Sequence, residues 1–546
     1  MRFTDTIVLR AAQLVTFDPP SVQRGDLVIS NGLVAAMGRN ISVPSQAEVI
    51  DAAGLMVTPG LVDLRADLLS EPLPGFADLN HRAREVLGEE AVIWASFVAG
   101  VRALRAGTTC VLSLQSAPGF ALGTLPRLRE VLLTLGLRAV LAYKHESGES
   151  SSLAANRDAA LYGGGEQLRM AVGAGDPPAS ATHLKDLAEL AERCQVPFFG
   201  ELGLRGSGKD GLKCLRDSGV KPERMVLAVG AGLDASDAEA LAKEGATLVH
   251  VPRLDLAEGR MLAAPPLGGS GLGSGTSISD VLAAARLAGG LARGRGTPLT
   301  NTELLQMLSA GHRAASRIFG LAFGSFAPGS AADFALWRYA PSMPLTSETV
   351  AEHVIEGLRS AQLEAVIANG RFVIRHGKLQ TLDEEQVLFA AQCGAIDMYQ
   401  RLTGSEWPGL AGARVDAEKE AHPAEDASLA SGDGLDAESL EDALDNPAWN
   451  DEDDATESEG AADDEPSAAA TAAGDEILEW SDETELEGEA DAATTTADSD
   501  AENDSDDSDD AEDSDEDEDA DDDEPADGDE GPKAPPTDSF GFGVFS

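Results

Sequence analysis

Cysteine and histidine are scarce in this sequence: 546 residues hold 4 of the first and 8 of the second. Cys110, Cys194, Cys214 and Cys393 are widely spaced, with no C-x-x-C pair. That excludes a disulfide framework or a thiolate zinc site and reads as reduced, buried thiols. Long apolar runs are missing too. No stretch reaches the roughly 18 uninterrupted apolar residues of a membrane helix, and Met1–Arg10 has no apolar signal core. The expectation is a cytoplasmic protein with no membrane partner. Basic residues all but vanish toward the C-terminus: residues 411–546 contain 52 Asp and Glu against 3 Lys and Arg, so nearly all of the formal charge of −55 lies there.

Such a segment cannot bury enough apolar surface to offset its chain entropy, and residues 406–546 therefore read as a disordered acidic tail. Phosphates would be repelled, which excludes nucleic acid as a partner. Apolar islands at Ala448-Trp449, Ile477–Trp480 and Phe540–Phe545 leave two readings open. The tail either solvates the protein and limits aggregation, or its islands fold onto a protein partner with a basic rim.

What remains is ample for a large core. Residues 1–57 carry short apolar runs broken by turns, with Asn31-Gly32 as a hairpin signal. Next come Pro59-Gly60 and the strand-like run Leu61–Asp67. Helices and strands then alternate as in a (β/α) barrel: a helix over Ala91–Gly107, a strand over Thr108–Leu114, a helix over Leu184–Cys194 and a strand over Val196–Phe199. Gly203–Asp210 fits the G-x-x-x-x-G-K half of a phosphate-binding loop. Asp210 stands where Ser or Thr should bind Mg²⁺, so the glycines read as a βα loop instead.

Pro59-Gly-Leu-Val-Asp63 resembles the first barrel strand of the amidohydrolase superfamily, whose pattern continues as x-His-x-His. Gly324–Trp337 and Val366–Gly377 resemble that family's returning strands. Glu90–Gly107 and Asp234–Arg253 are similar to its branch of triazine, guanine and cytosine hydrolases and deaminases. The resemblance implies an α/β fold: a (β/α)₈ TIM-like barrel over 58–320, and a composite β-sandwich from 1–57 and 321–405. It also implies hydrolysis of non-peptide carbon–nitrogen bonds by metal-activated water.

The family's ligand positions are substituted. Arg65 and Asp67 stand for the paired histidines, Gly200 and Val229 for two further histidines, and Gly275 for the final aspartate; Gly203 falls at the glutamate of the family's His-x-x-Glu. Arg65 carries a permanent cation that would repel a divalent ion. The resulting expectation is a pseudoenzyme without cofactor, acting as a binding or scaffold protein, with a small-molecule ligand in the barrel mouth. A homo-oligomer is compatible with it. The alternative is an active hydrolase or deaminase with a rebuilt zinc or iron site, using Asp67, Glu201 and His250 as ligands or general base. Should Arg65 be buried, it needs a carboxylate partner, with Asp67, Glu71 and Glu201 as candidates.

Overall fold

The computed structural model describes residues 6–69, 73, 77–146, 150–176, 181–204, 208–257, 270–275 and 279–407. The expected tail, from residue 408 on, lies outside the described residues, as does Glu71. Among the described residues no helix is long and apolar enough to cross a membrane.

The chain opens with β1 (Thr6–Phe17), β2 (Pro20–Ser30), β3 (Leu33–Gly38), β4 (Glu48–Asp51) and β5 (Met56–Pro59). Asn31 and Gly32 join β2 to β3 with φ of 53° and 77°, the two left-handed residues that a type I′ turn requires. Nine parallel strands follow: β6 (Leu61–Ala66), β7 (Thr108–Gln115), β8 (Arg138–His145), β9 (Leu168–Met170), β10 (Val172–Ala174), β11 (Phe198–Leu202), β12 (Met225–Val229), β13 (Thr247–His250) and β14 (Gly271–Leu272). They pair in chain order, with β9 and β10 both beside β8. The ring closes where Gly275 N donates to Arg65 O at 2.9 Å and Asp67 N to Gly275 O at 3.3 Å.

Between these strands run α1 (Ala77–Val86), α2 (Glu89–Arg105), α3 (Ala121–Leu135), α4 (Ser150–Tyr162), α5 (Ala181–Cys194), α6 (Gly208–Ser218), α7 (Ala235–Lys243) and α8 (Pro252–Ala257). After β14 come α9 (Val281–Gly294) and α10 (Asn301–Phe319), the latter opened by a capping box between Thr300 and Glu303. Ala314, Ala315 and Phe319 of α10 cluster with Cys110, Val140 and Val226 of the barrel.

The last strands, β15 (Phe334–Trp337), β16 (Leu363–Ala368), β17 (Arg371–Arg375) and β18 (Lys378–Leu379), join the first five in a second sheet of order β18-β17-β16-β15-β5-β1-β2-β3, with β4 beside β1. The seam is the antiparallel pair β5–β15, where Trp337, fully buried, donates its indole N–H to Thr58 Oγ1 at 3.0 Å.

One expected strand is displaced. It begins at Phe198 rather than Val196, because Pro197 has no N–H for a ladder and serves it only as an acceptor, from Val172 N at 3.0 Å. The start moves by two residues, so the alternation along β11 keeps its phase.

Candidate functional site at the barrel mouth

Alternation along each strand decides what faces the lumen. In β11, Phe198 and Leu202 pack with Leu187 and Leu212 of the helical layer, while Phe199 clusters with Leu114 and Val140 of other strands. Glu201 therefore turns inward and Gly200 outward, and a Cβ on Gly200 would meet Leu227 Cδ2 at 2.7 Å. In β12 the outward set is Met225, Leu227 and Val229 and the inward set Val226 and Ala228. Gly200 and Val229, expected at lost ligand positions in the mouth, face the helices instead. Glu201 holds the inward place at the end of its strand.

Strand β6 reaches the mouth through a bulge. Its register with β7 shifts between Asp63 and Ala66, three steps on β6 against two on β7, and this one extra residue lets Arg65 enter the lumen directly after the inward Leu64. There the Arg65 guanidinium donates through Nη2 to Glu201 Oε1 at 2.5 Å, both side chains buried. Lys144, inward on β8 after Val140 and Ala142, lies 3.7 Å from Glu201 Oε2 and 2.8 Å from Glu146 Oε1. Asp67 accepts from Arg84 of α1. That carboxylate, joined by Glu201 and Glu146, holds the Arg84 guanidinium more firmly protonated than usual. Asp63 Oδ1 accepts from Arg65 N at 3.1 Å and Ser274 N at 3.0 Å, tying β6 to the end of β14. Burial nonetheless raises its carboxyl above the ordinary range.

The mouth is thus filled by alternating charges, three cations among carboxylates. A divalent ion does not fit this set. Glu201 is already neutralised by Arg65 with Lys144 close by, Asp67 by Arg84, and any ion placed between them would face guanidinium and ammonium groups. Among the described residues no three His, Cys, Asp or Glu side chains are arranged to hold one. At Gly275 the backbone is left-handed, φ 69°, and a Cβ would lie 2.7 Å from Val251 Cγ1, so aspartate has no room there without rearrangement.

His250 stands apart from Asp67 and Glu201. It alternates with the inward Val249 and Val251, and its Nδ1 lies 3.6 Å from Asp255 Oδ2, an oxygen also 3.8 Å from Arg295 Nη2. Burial, reinforced by Arg295, pushes its imidazole down to about 4 and keeps it neutral. His312 lies at the opposite end of the strands, with Nε2 donating to Gly60 O at 2.9 Å. His81 falls on α1 with its side chain outside the described residues.

Of the glycine-rich stretch, the described residues Gly203 and Gly208 spend backbone groups on the neighbouring loop. Gly232 N donates to Gly203 O at 2.8 Å, Gly208 N donates to Gly232 O at 2.9 Å, and Lys209 pairs with Asp234 at 2.9 Å.

Lys144, Arg84 and the contact of His145 with His183 escaped the sequence reading. Lys144 had a local signal in the alternation Val140, Ala142, Lys144. Arg84 reaches the mouth from a helix, and no local pattern announces that.

No family model matches the chain. A 5-methylthioadenosine/S-adenosylhomocysteine deaminase from Desulforudis audaxviator is 26% identical over 416 residues, covering 67% of this chain and 93% of that protein. A 5′-deoxyadenosine deaminase from Methanothermobacter thermautotrophicus is 23% identical, covering 70% and 96%. In fold, the zinc-complexed atrazine chlorohydrolase of Arthrobacter aurescens superposes with a TM-score of 0.61 at 20% identity, covering 71% of this chain and all of that one. An adenosine deaminase from Xanthomonas campestris superposes with a TM-score of 0.62 at 18% identity, covering 73% and 99%. In sequence the chain is similar to these deaminases, and its fold, an α/β barrel with a flanking sheet, is similar to that of these hydrolases.

Proposed function

We propose that this protein keeps the amidohydrolase architecture without metal-dependent hydrolysis, and acts as a binding or scaffold protein. The carrying observation is the buried Arg65–Glu201 pair with Lys144 beside it, which puts fixed cations where that chemistry needs ligands for one. A catalytic metal site takes about three protein ligands and an open water position. Here the inward strand-end groups are Arg65, Lys144 and Glu201, and they satisfy one another.

The rival reading, a deaminase with a rebuilt site, draws on the names of relatives that cover two thirds or more of the chain. Its three residues are engaged separately: Asp67 with Arg84, Glu201 with Arg65 and Lys144, and His250 near Asp255 on the outward side of β13. The test is turnover of 5-methylthioadenosine, S-adenosylhomocysteine and 5′-deoxyadenosine by the full chain supplied in turn with zinc, iron and manganese. No turnover is expected. Metal-dependent deamination that disappears in Glu201→Gln would overturn the proposal and establish the rival.

A further inference from the structure

Beside the mouth, on the side of β8 that faces the helices, two histidines from different elements meet. His145 ends β8 directly after the inward Lys144, and His183 lies in the first turn of α5. His145 Nε2 and His183 Nδ1 share a hydrogen bond at 3.1 Å, whose proton an ion bound between them would displace, with the rings inclined by 70°. The other nitrogen of His145, Nδ1, is 2.5 Å from Ser152 Oγ of α4. Asn156, one turn on, locks that helix in place: its Nδ2 donates to Tyr143 O and Ser152 O at 2.9 Å, and its Oδ1 accepts from Gly173 N at 2.7 Å.

We propose that His145 and His183 form a two-histidine site for a divalent transition metal ion that favours imidazole, zinc foremost. Two imidazole nitrogens bound to one zinc at about 2.0–2.1 Å and near-tetrahedral angles stand roughly 3.3 Å apart, close to the separation already present. A ligating histidine is ordinarily fixed through its second nitrogen by a polar partner, which is the part Ser152 plays for His145. The ligand must be neutral, and burial together with His183 lowers the proton affinity of His145. The Glu146 carboxylate adjoins on the exposed side and contributes negative potential. His183 is half-buried, so an ion can enter from solvent, and the remaining coordination positions fall to water or a carboxylate. This site lies outside the lumen and does not depend on the reading of the mouth.

The experiment is calorimetric titration of the full chain with zinc in excess magnesium, which occupies carboxylate sites of the acidic C-terminal region while leaving imidazoles open. The same C-terminal region is present in every variant, so its contribution cancels. One magnesium-resistant zinc equivalent is expected, lost in His183→Ala and weakened about 10- to 100-fold in Ser152→Ala, as for other partners of ligating histidines. His183→Ala alters a half-exposed helix residue, and an unchanged circular dichroism spectrum verifies its fold. No magnesium-resistant zinc binding by the wild type, or equal binding by His183→Ala, overturns the proposal. Because the readout is binding, the outcome is separate from any gain or loss of deamination.

Discussion

Arg65 and Glu201, 136 residues apart in sequence, meet across the barrel mouth at 2.5 Å, with Lys144 3.7 Å from the second carboxylate oxygen. The triad is asymmetric, and so should be the cost of breaking it. Glu201→Gln leaves the buried Arg65 guanidinium facing a neutral amide, with Lys144 held by Glu146 alone, and is expected to lower unfolding stability by about 3–5 kcal/mol, the usual range for stranding a buried charge. Arg65→Leu leaves Glu201 to Lys144 and should cost clearly less. Denaturant midpoints of the two variants check this. Equal losses would mean that Lys144 does not compensate.

Stability should also fall with acid in a way that can be traced to His312. Burial pushes this imidazole down to about 4 from an ordinary value of 6.5. The unfolded chain then binds a proton more readily than the folded one between those two values. The contribution is fully present above about pH 6.5, is lost as pH falls toward 4, and amounts to roughly 3 kcal/mol at most. His250, with the same direction and value, adds to the slope. His312→Gln retains an N–H for Gly60 O but no titration. Its stability measured from pH 7 to pH 4.5 should decline less steeply than the wild type's. Parallel curves would show that His312 is not the source.

The sheet beside the barrel is stitched from both ends of the sequence at Thr58 and Trp337. Thr58→Val is nearly isosteric but leaves the buried indole N–H without its acceptor, and should cost about 1–3 kcal/mol. Trp337→Phe in the Thr58→Val background removes the orphaned donor along with part of the ring. The two losses should therefore be less than additive in a double-mutant cycle.

The hairpin at Asn31-Gly32 was legible because two left-handed residues demand that sequence. Alternation likewise exposed the barrel's strands. What sequence could not give was the phase of alternation at the mouth. The bulge in β6 lets both Leu64 and Arg65 enter the lumen, and the family's His-x-x-Glu spacing puts Gly200 at the site where the alternation of β11 turns Glu201 inward instead. The bulge has no local signature strong enough to read. Arg84 reaches Asp67 only because α1 folds over the mouth, a tertiary fact with no periodicity behind it.

The same geometry forecasts what reversion would do. Arg65→His with Asp67→His restores two imidazoles at the end of β6, leaves Glu201 to Lys144, and takes from Arg84 its carboxylate partner Asp67. Gly275→Asp, needed to complete an ancestral set, places a side chain at φ 69°, with Cβ 2.7 Å from Val251 Cγ1. It does so at the residue whose N–H and C=O close the ring to Arg65 and Asp67. Aspartate tolerates left-handed backbone better than most residues, so the clash is the larger difficulty. Gly275→Asp alone should destabilise by about 1–3 kcal/mol. The triple variant should show no metal-dependent turnover, measured by deamination of 5-methylthioadenosine with zinc or iron supplied. Turnover from the triple variant would mean that Glu201 and one more inward group already suffice as ligands once Arg65 is gone, and that the cation of Arg65 is the whole of the block.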